Sequence, residues 1–163
     1  MTPNLADRFA HPPPRRTRRH TITLLGALAL SPLRALPQST RPRAAPMKIR
    51  IVVGDQSIPV TLDDNASARD FVSLLPLSLT LEDHADTEKI ATLPRKLTTD
   101  GTPAGSTPVT GDFSYYAPWG NLAIYLKPFH HSPGLVRLGR IDGRLELLNA
   151  RGKFAVRFEV RPA

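Results

Sequence analysis

The chain of 163 residues contains no cysteine. Disulfide frameworks, thiolate nucleophiles and Cys-ligated zinc or iron–sulfur sites are therefore excluded. No apolar run reaches the roughly 18 to 20 residues that span a bilayer, which excludes a stable transmembrane helix. Gly-x-Gly-x-x-Gly, P-loop and Gly-x-Ser-x-Gly sequences are missing too, so nucleotide and triad-hydrolase chemistry has no support. Acidic side chains are scarce in one part only. Residues 1–46 hold a single acid, Asp7, against eight arginines, whereas residues 47–163 hold 14 basic and 13 acidic side chains. The net charge of +8 is thus a +7 leader joined to a +1 remainder, not a basic domain seeking nucleic acid.

The leader also carries eight of the 17 prolines and no periodic apolar face, so it is expected to be disordered. Its order is a basic stretch at residues 15–19, an apolar run at residues 22–30 and a proline-interrupted tail, the pattern of an export signal. Thr17, Arg18, Arg19, His20, Thr21 and Ile22 resemble the twin-arginine motif, although a bulky apolar residue is usual where Thr21 stands. Leu33, Arg34, Ala35 and Arg43, Ala44, Ala45 end on small residues but lack the small residue two positions earlier that cleavage prefers. An Arg-rich organellar transit peptide and an extension skipped by a start at Met47 stay open as readings. The expectation is a periplasmic or secreted protein, or a cytoplasmic one if translation starts at Met47.

From residue 47 the chain reads as mostly β, and residues 47–163 are expected to form one domain. Ile49, Ile51 and Val53 alternate with Arg50 and Val52, the pair Gly54 and Asp55 supplies a turn, and residues 58–62 return as a hairpin. Asp63, Asp64 and Asn65 offer N-caps, after which Ala68, Phe71, Val72 and Leu75 fall at helical spacing until Pro76. Leu77, Leu79 and Leu81 alternate as a strand that runs into an acidic stretch at residues 82–89, expected to be a solvated loop. Residues 97–111, rich in Gly, Pro, Thr and Ser, read as a long surface loop rather than a packed element. Residues 121–126, 135–141 and 154–160 complete the strands, the last with Phe154, Val156, Phe158 and Val160 on one face. About seven short strands with one or two helices imply a closed or nearly closed barrel.

Several stretches resemble a known family. Leu81, Glu82, Asp83, His84; Thr87, Glu88, Lys89, Ile90; Tyr115, Tyr116, Ala117, Pro118, Trp119, Gly120, Asn121; and Ser132, Pro133, Gly134 with Leu138, Gly139, Arg140, Ile141 look like the small, mostly bacterial cyclophilin-like domain family. The resemblance implies a mainly β fold, a closed cyclophilin-like barrel of about eight strands with one or two short capping helices. True cyclophilins, the peptidyl-prolyl isomerases, carry a Phe-His-Arg segment and a Gln-Gly-Gly-Asp segment where this chain has acidic residues 82–89. Their arginine promotes rotation about a bond with a barrier of roughly 18 to 20 kcal/mol by weakening amide resonance. Phe129, His130 and His131 match that segment only superficially, since they follow the Trp-Gly-Asn stretch, and nothing marks Arg95 as a substitute.

The leading reading is a binding module in which Glu82, Glu88, Tyr116, Trp119 and Asn121 line a groove for a small ligand or extended peptide, without chemistry. A divergent prolyl isomerase is the alternative, and acid/base catalysis by Glu82 or Glu88 a third. No catalytic residue, cofactor or metal is assigned. His84, His130 and His131 lack His-x-His or His-x-x-x-His spacing. The cluster of Tyr115, Tyr116 and Trp119 reads more readily as a plug in the barrel mouth than as a site. A monomer or weak homodimer is expected, the last strand offering an edge for pairing.

Overall fold

The computed structural model describes residues 47–161, and the export-type reading of residues 1–46 lies outside them. The first hairpin forms as the alternation requires. Strand β1 (Lys48–Val53) and strand β2 (Gln56–Leu62) pair antiparallel from Lys48↔Thr61 to Val53↔Gln56 around a two-residue turn. Gly54 occupies the first turn position at φ 56°, a conformation that costs glycine least. Helix α1 (Ala66–Val72) follows, capped by Asn65, whose side-chain oxygen accepts from the Ala68 N–H at 2.8 Å. Ala68 and Phe71 are buried on its inner face. The Phe71 ring meets Phe113 and Phe158 edge-on at 5.3 and 5.7 Å, and burial of such a ring stabilises by about 1.5–3 kcal/mol.

The remaining elements are β3 (Leu77–His84), β4 (Glu88–Thr92), a short β5 (Gly105–Ser106), β6 (Asp112–Tyr116), β7 (Asn121–Tyr125), a short β8 (Ser132–Pro133), β9 (Leu135–Ile141), a 3₁₀ turn (Leu145–Leu148) and β10 (Phe154–Val160). Eight strands close an antiparallel barrel in the order β1-β10-β3-β4-β7-β6-β9-β2, while β5 and β8 pair separately. Eight strands leave an interior just wide enough for side chains to fill. Ile49, Ile58, Leu81, Phe113, Leu122 and Phe158 belong to one contiguous buried cluster there. Closure also changes the expectation for the last strand. β10 is hydrogen-bonded on both sides, to β1 and to β3, so it presents no free edge.

Residues 82–89 are not a loop. Glu82, Asp83 and His84 end β3, Glu88 and Lys89 begin β4, and the two strands pair through Glu82↔Ile90, Asp83↔Lys89 and His84↔Glu88. The turn between them holds Ala85 and Asp86 at φ 48° and 53°. Alternation sends Asp83 and Lys89 to one face and Glu82, His84 and Glu88 to the other. Lys89 is 0% exposed; its ammonium pairs with the Asp83 carboxylate, donates to the Ala150 carbonyl and lies 5.2 Å from the Phe154 ring centre. Asp83 and Lys89 of the charge run therefore pair with each other and tie the hairpin to the segment before β10.

Two close approaches shape the rest. A Cβ on Gly139 would stand 2.3 Å from the Thr61 carbonyl oxygen and 2.8 Å from the Leu62 Cα, so β2 and β9 can pair there only with glycine. Residues 97–111 are mostly irregular, as expected, yet they bury Leu97 and Pro108 and contribute β5. The Leu97 N–H donates to the buried Tyr115 hydroxyl at 3.1 Å.

Gly139→Ala is expected to destabilise the barrel by roughly 1–3 kcal/mol in chemical denaturation, the usual cost of overpacking; an unchanged midpoint would show that the strands separate freely. A second outcome concerns acid. The Lys89 ammonium, first, and the Gly152 N–H, second, hold the Asp83 carboxyl below the usual carboxylate range. Native protein then binds fewer protons than unfolded chain, so this contribution is present above the ordinary value of about 3.9 and lost as pH falls through the depressed one. Asp83→Asn should be less stable than wild type at neutral pH, with the difference closing on acidification; a constant difference would assign the loss to packing.

Candidate functional site

The outer face of β7 is where the barrel departs from the usual pattern. Leu122 and Ile124 point inward, yet Asn121, Ala123 and Tyr125 on the opposite face are buried as well. An antiparallel strand with one solvated face alternates apolar and polar residues, and β7 does not. Its outer residues lie in cross-strand rows with those of β3, β4 and β6. His84↔Glu88 and Glu88↔Tyr125 form one row, Ile90↔Ala123 and Ala123↔Ser114 a second, Thr92↔Asn121 and Asn121↔Tyr116 a third. Directly opposite residues sit about 4.5–5.5 Å apart at Cβ, so register alone brings His84, Glu88 and Tyr125 together.

Two walls rise from this floor. The turn joining β6 to β7 closes through the Gly120 N–H to the Tyr116 carbonyl at 2.9 Å, with Gly120 at φ 73°. It swings Trp119 back over the strands, edge-on to Tyr116 at 5.4 Å and to His84 at 5.6 Å. Trp119 is nevertheless 61% exposed. The facing wall is the segment from Phe129 to Pro133. It is held by β5–β8 pairing, by the Phe129 N–H on the Pro108 carbonyl at 3.2 Å and by the Gly134 N–H on the Ala104 carbonyl at 2.7 Å. The irregular 97–111 segment thus buttresses one side of the site. Between the walls lies a cavity of about 270 Å³.

The polar atoms on the floor are incompletely paired. Glu88 Oε2 and Asn121 Oδ1 are shielded from solvent and accept no hydrogen bond. Asn121 is 5% exposed, and its Nδ2 reaches only the Leu122 carbonyl, at 3.3 Å. Glu88 Oε1 lies 4.0 Å from His84 Nε2. Burial, first, and the neighbouring Glu88 carboxylate, second, push the Tyr125 phenol well above its ordinary range, so it is a neutral O–H at physiological pH. Although three histidines and Glu88 line the cavity, no three such groups among the described residues are arranged to hold a metal ion.

A family model described as the cyclophilin-like family matches residues 51–159. The chain belongs to the cyclophilin-like family. Among solved structures, the cyclophilin-like barrel is similar to the solution structure of a hypothetical protein from Archaeoglobus fulgidus, at 19% identity and TM-score 0.57, covering 73% of this chain and 98% of that one. That likeness concerns the fold alone. No curated protein matches the chain.

Within this cyclophilin-like domain, Glu88, Tyr116, Trp119 and Asn121 line one cavity. Glu82 stands apart from its lining, and its carboxylate pairs with Lys153 at 2.6 Å. The aromatic cluster divides instead of plugging the barrel as a unit: Tyr115 enters the core, while Tyr116 and Trp119 face the outer cavity. Arg95 is fixed elsewhere, its guanidinium on the Asp70 carboxylate of α1 at 2.6 and 3.0 Å and on Ser73 Oγ at 2.9 Å. Sequence reasoning missed Ala123 and Tyr125 as floor and the Phe129 segment as wall. The signal available for the floor was the absence of polar alternation in β7.

A buried acceptor without a partner costs about 1–3 kcal/mol, more when charged. Glu88→Gln removes the charge at nearly constant shape, and is expected to raise stability near neutral pH by about 1 kcal/mol in thermal or urea unfolding. A loss of similar size would mean that the carboxylate supports the fold and is satisfied there.

Proposed function

We propose that this cyclophilin-like barrel is a binding module that holds a small ligand, or a side chain of an extended peptide, in the groove over β7 without changing it chemically. The observation that carries this reading is the pair of buried, unpartnered acceptors, Glu88 Oε2 and Asn121 Oδ1, at the floor of an aromatic-walled cavity. Native structures satisfy more than about nine-tenths of their buried polar groups, so two orphans within one concavity point to groups completed by a ligand. The lining contains no arginine or lysine. Without a guanidinium to weaken amide resonance, prolyl isomerisation is the weaker reading of the same groove. The exposed indole and the phenol of Tyr116 supply flat apolar surface of the kind that binding sites favour.

Trp119 is the chain's single tryptophan, so selectively excited tryptophan emission reports on this wall alone. Small polar-headed fragments with N–H donors are expected to change its emission and to shield it from acrylamide, with saturation. Asn121→Leu should weaken that response roughly tenfold, the loss of about 1.4 kcal/mol. Fragments that bind with equal affinity after that substitution would place the site elsewhere. A prolyl cis/trans exchange assay on a short X-Pro peptide is expected to show no acceleration.

A further inference from the structure

We infer that the groove selects an organic cation, a primary ammonium or guanidinium group whose N–H donors complete Glu88 and Asn121 between the aromatic walls. This rests on the reading of the groove as a binding site, and adds the chemistry of what it holds. Three observations converge on positive charge. Glu88 is the one fixed charge in the lining, which otherwise carries imidazoles, phenols, an indole, a phenyl ring and small side chains. Its carboxylate side chain is only 15% exposed, its Oε2 has no hydrogen bond, and its neighbours are the neutral Tyr125 phenol and His84 Nε2, 4.0 Å from Oε1, so no Lys or Arg faces it. A neutral amide could complete the acceptors but would leave that charge uncompensated; an anion would be repelled. An ammonium or guanidinium does both, through charge-assisted hydrogen bonds that are roughly twice as strong as neutral ones.

The walls favour the same class. Trp119, Tyr116 and Phe129 all line the cavity, and aromatic rings attract a cation within about 6 Å of the ring centre, tryptophan most strongly. The groups that face Glu88 are His84 from β3 and Tyr125 from β7, with His130 and His131 across the cavity. Tyr125 is a neutral donor at physiological pH. Size narrows the choice further. At about 270 Å³ the cavity falls below the range of roughly 300–1,000 Å³ typical of drug-sized ligands, which suits a single cationic headgroup on an alkyl stem. Such a headgroup comes either from a free amine or from a lysine or arginine side chain of an extended peptide.

The test titrates the full chain with n-butylammonium, n-butanol, butyrate and Nα-acetyl-lysine methylamide at about pH 8, above the ordinary titration range of imidazole, reading Trp119 fluorescence and calorimetry together. Butylammonium is expected to bind at least roughly tenfold more tightly than butanol, and butyrate more weakly than either. Glu88→Gln should abolish that preference by weakening butylammonium binding at least roughly tenfold, to the level of butanol. If this variant fails to fold, Glu88→Asp should keep the preference at reduced affinity. Tighter binding of the lysine derivative than of butylammonium assigns the cation to a peptide, and the reverse order assigns it to a free amine. Equal binding of butanol and butylammonium, or a preference that survives Glu88→Gln, would overturn the cation while leaving the groove intact. Silence of Trp119 toward all four probes would overturn both.

Discussion

Closure of the barrel commits alternate residues of every strand to the interior, and the rest of the molecule follows from what each strand does with its other half. In β1 and β10 that half is polar and faces water, as Arg50, Arg157 and Glu159 show by their surface ion pairs. In β7 it is Asn121, Ala123 and Tyr125, withdrawn from solvent on the outside of a barrel whose inside is already filled. Nothing in barrel packing demands that second burial. It arises because the Trp119 turn and the Phe129 segment stand over the strand, and because Gly105 permits the close approach that anchors the latter: a Cβ there would meet the Ser132 carbonyl oxygen at 2.6 Å and the His131 ring at 2.9 Å.

The two faces of the β3–β4 hairpin show the consequence in energetic terms. On the inner face, Lys89 and Asp83 satisfy one another and the surrounding carbonyl and N–H groups, so a buried charge becomes part of the scaffold. One residue away on the outer face, Glu88 is nearly as sheltered and lacks the equivalent partners. The same hairpin therefore carries a completed ion pair on one face and an incomplete acceptor on the other. Stability alone would remove the second, and its position beside Asn121 under an exposed indole is what gives the groove a chemical character.

Much of the barrel was legible in sequence, because period-two alternation in β1, β2 and β10 reports a buried inner face directly, and Asn65 and Phe71 mark the helix. The acidic stretch misled for a physical reason. Charge usually means solvation, and no local pattern reveals that Lys89 finds Ala150, 61 residues later, inside the fold. Four of the five groove residues named from sequence meet in one cavity; Glu82 shares the outer face of the hairpin but turns to Lys153. Phe129 and the neighbouring histidines were hidden because their placement depends on β5–β8 pairing, two residues on each side, with almost no propensity signal. Tyr115 and Tyr116 are adjacent and equally aromatic, and only strand register decides that one is core and the other wall.

The central claim is that the outer face of β7 is a ligand floor. Backbone amide chemical shifts of the full chain, recorded during titration with any fragment that shifts Trp119 emission, test it most directly. Shifts concentrated at residues 84, 88, 116–125 and 129–133, with the inner-face amides of β1 and β2 unmoved, are the predicted result. Shifts centred on the separate cavity beside Asp63, Asp112 and Arg137, or spread evenly over the barrel, would contradict it.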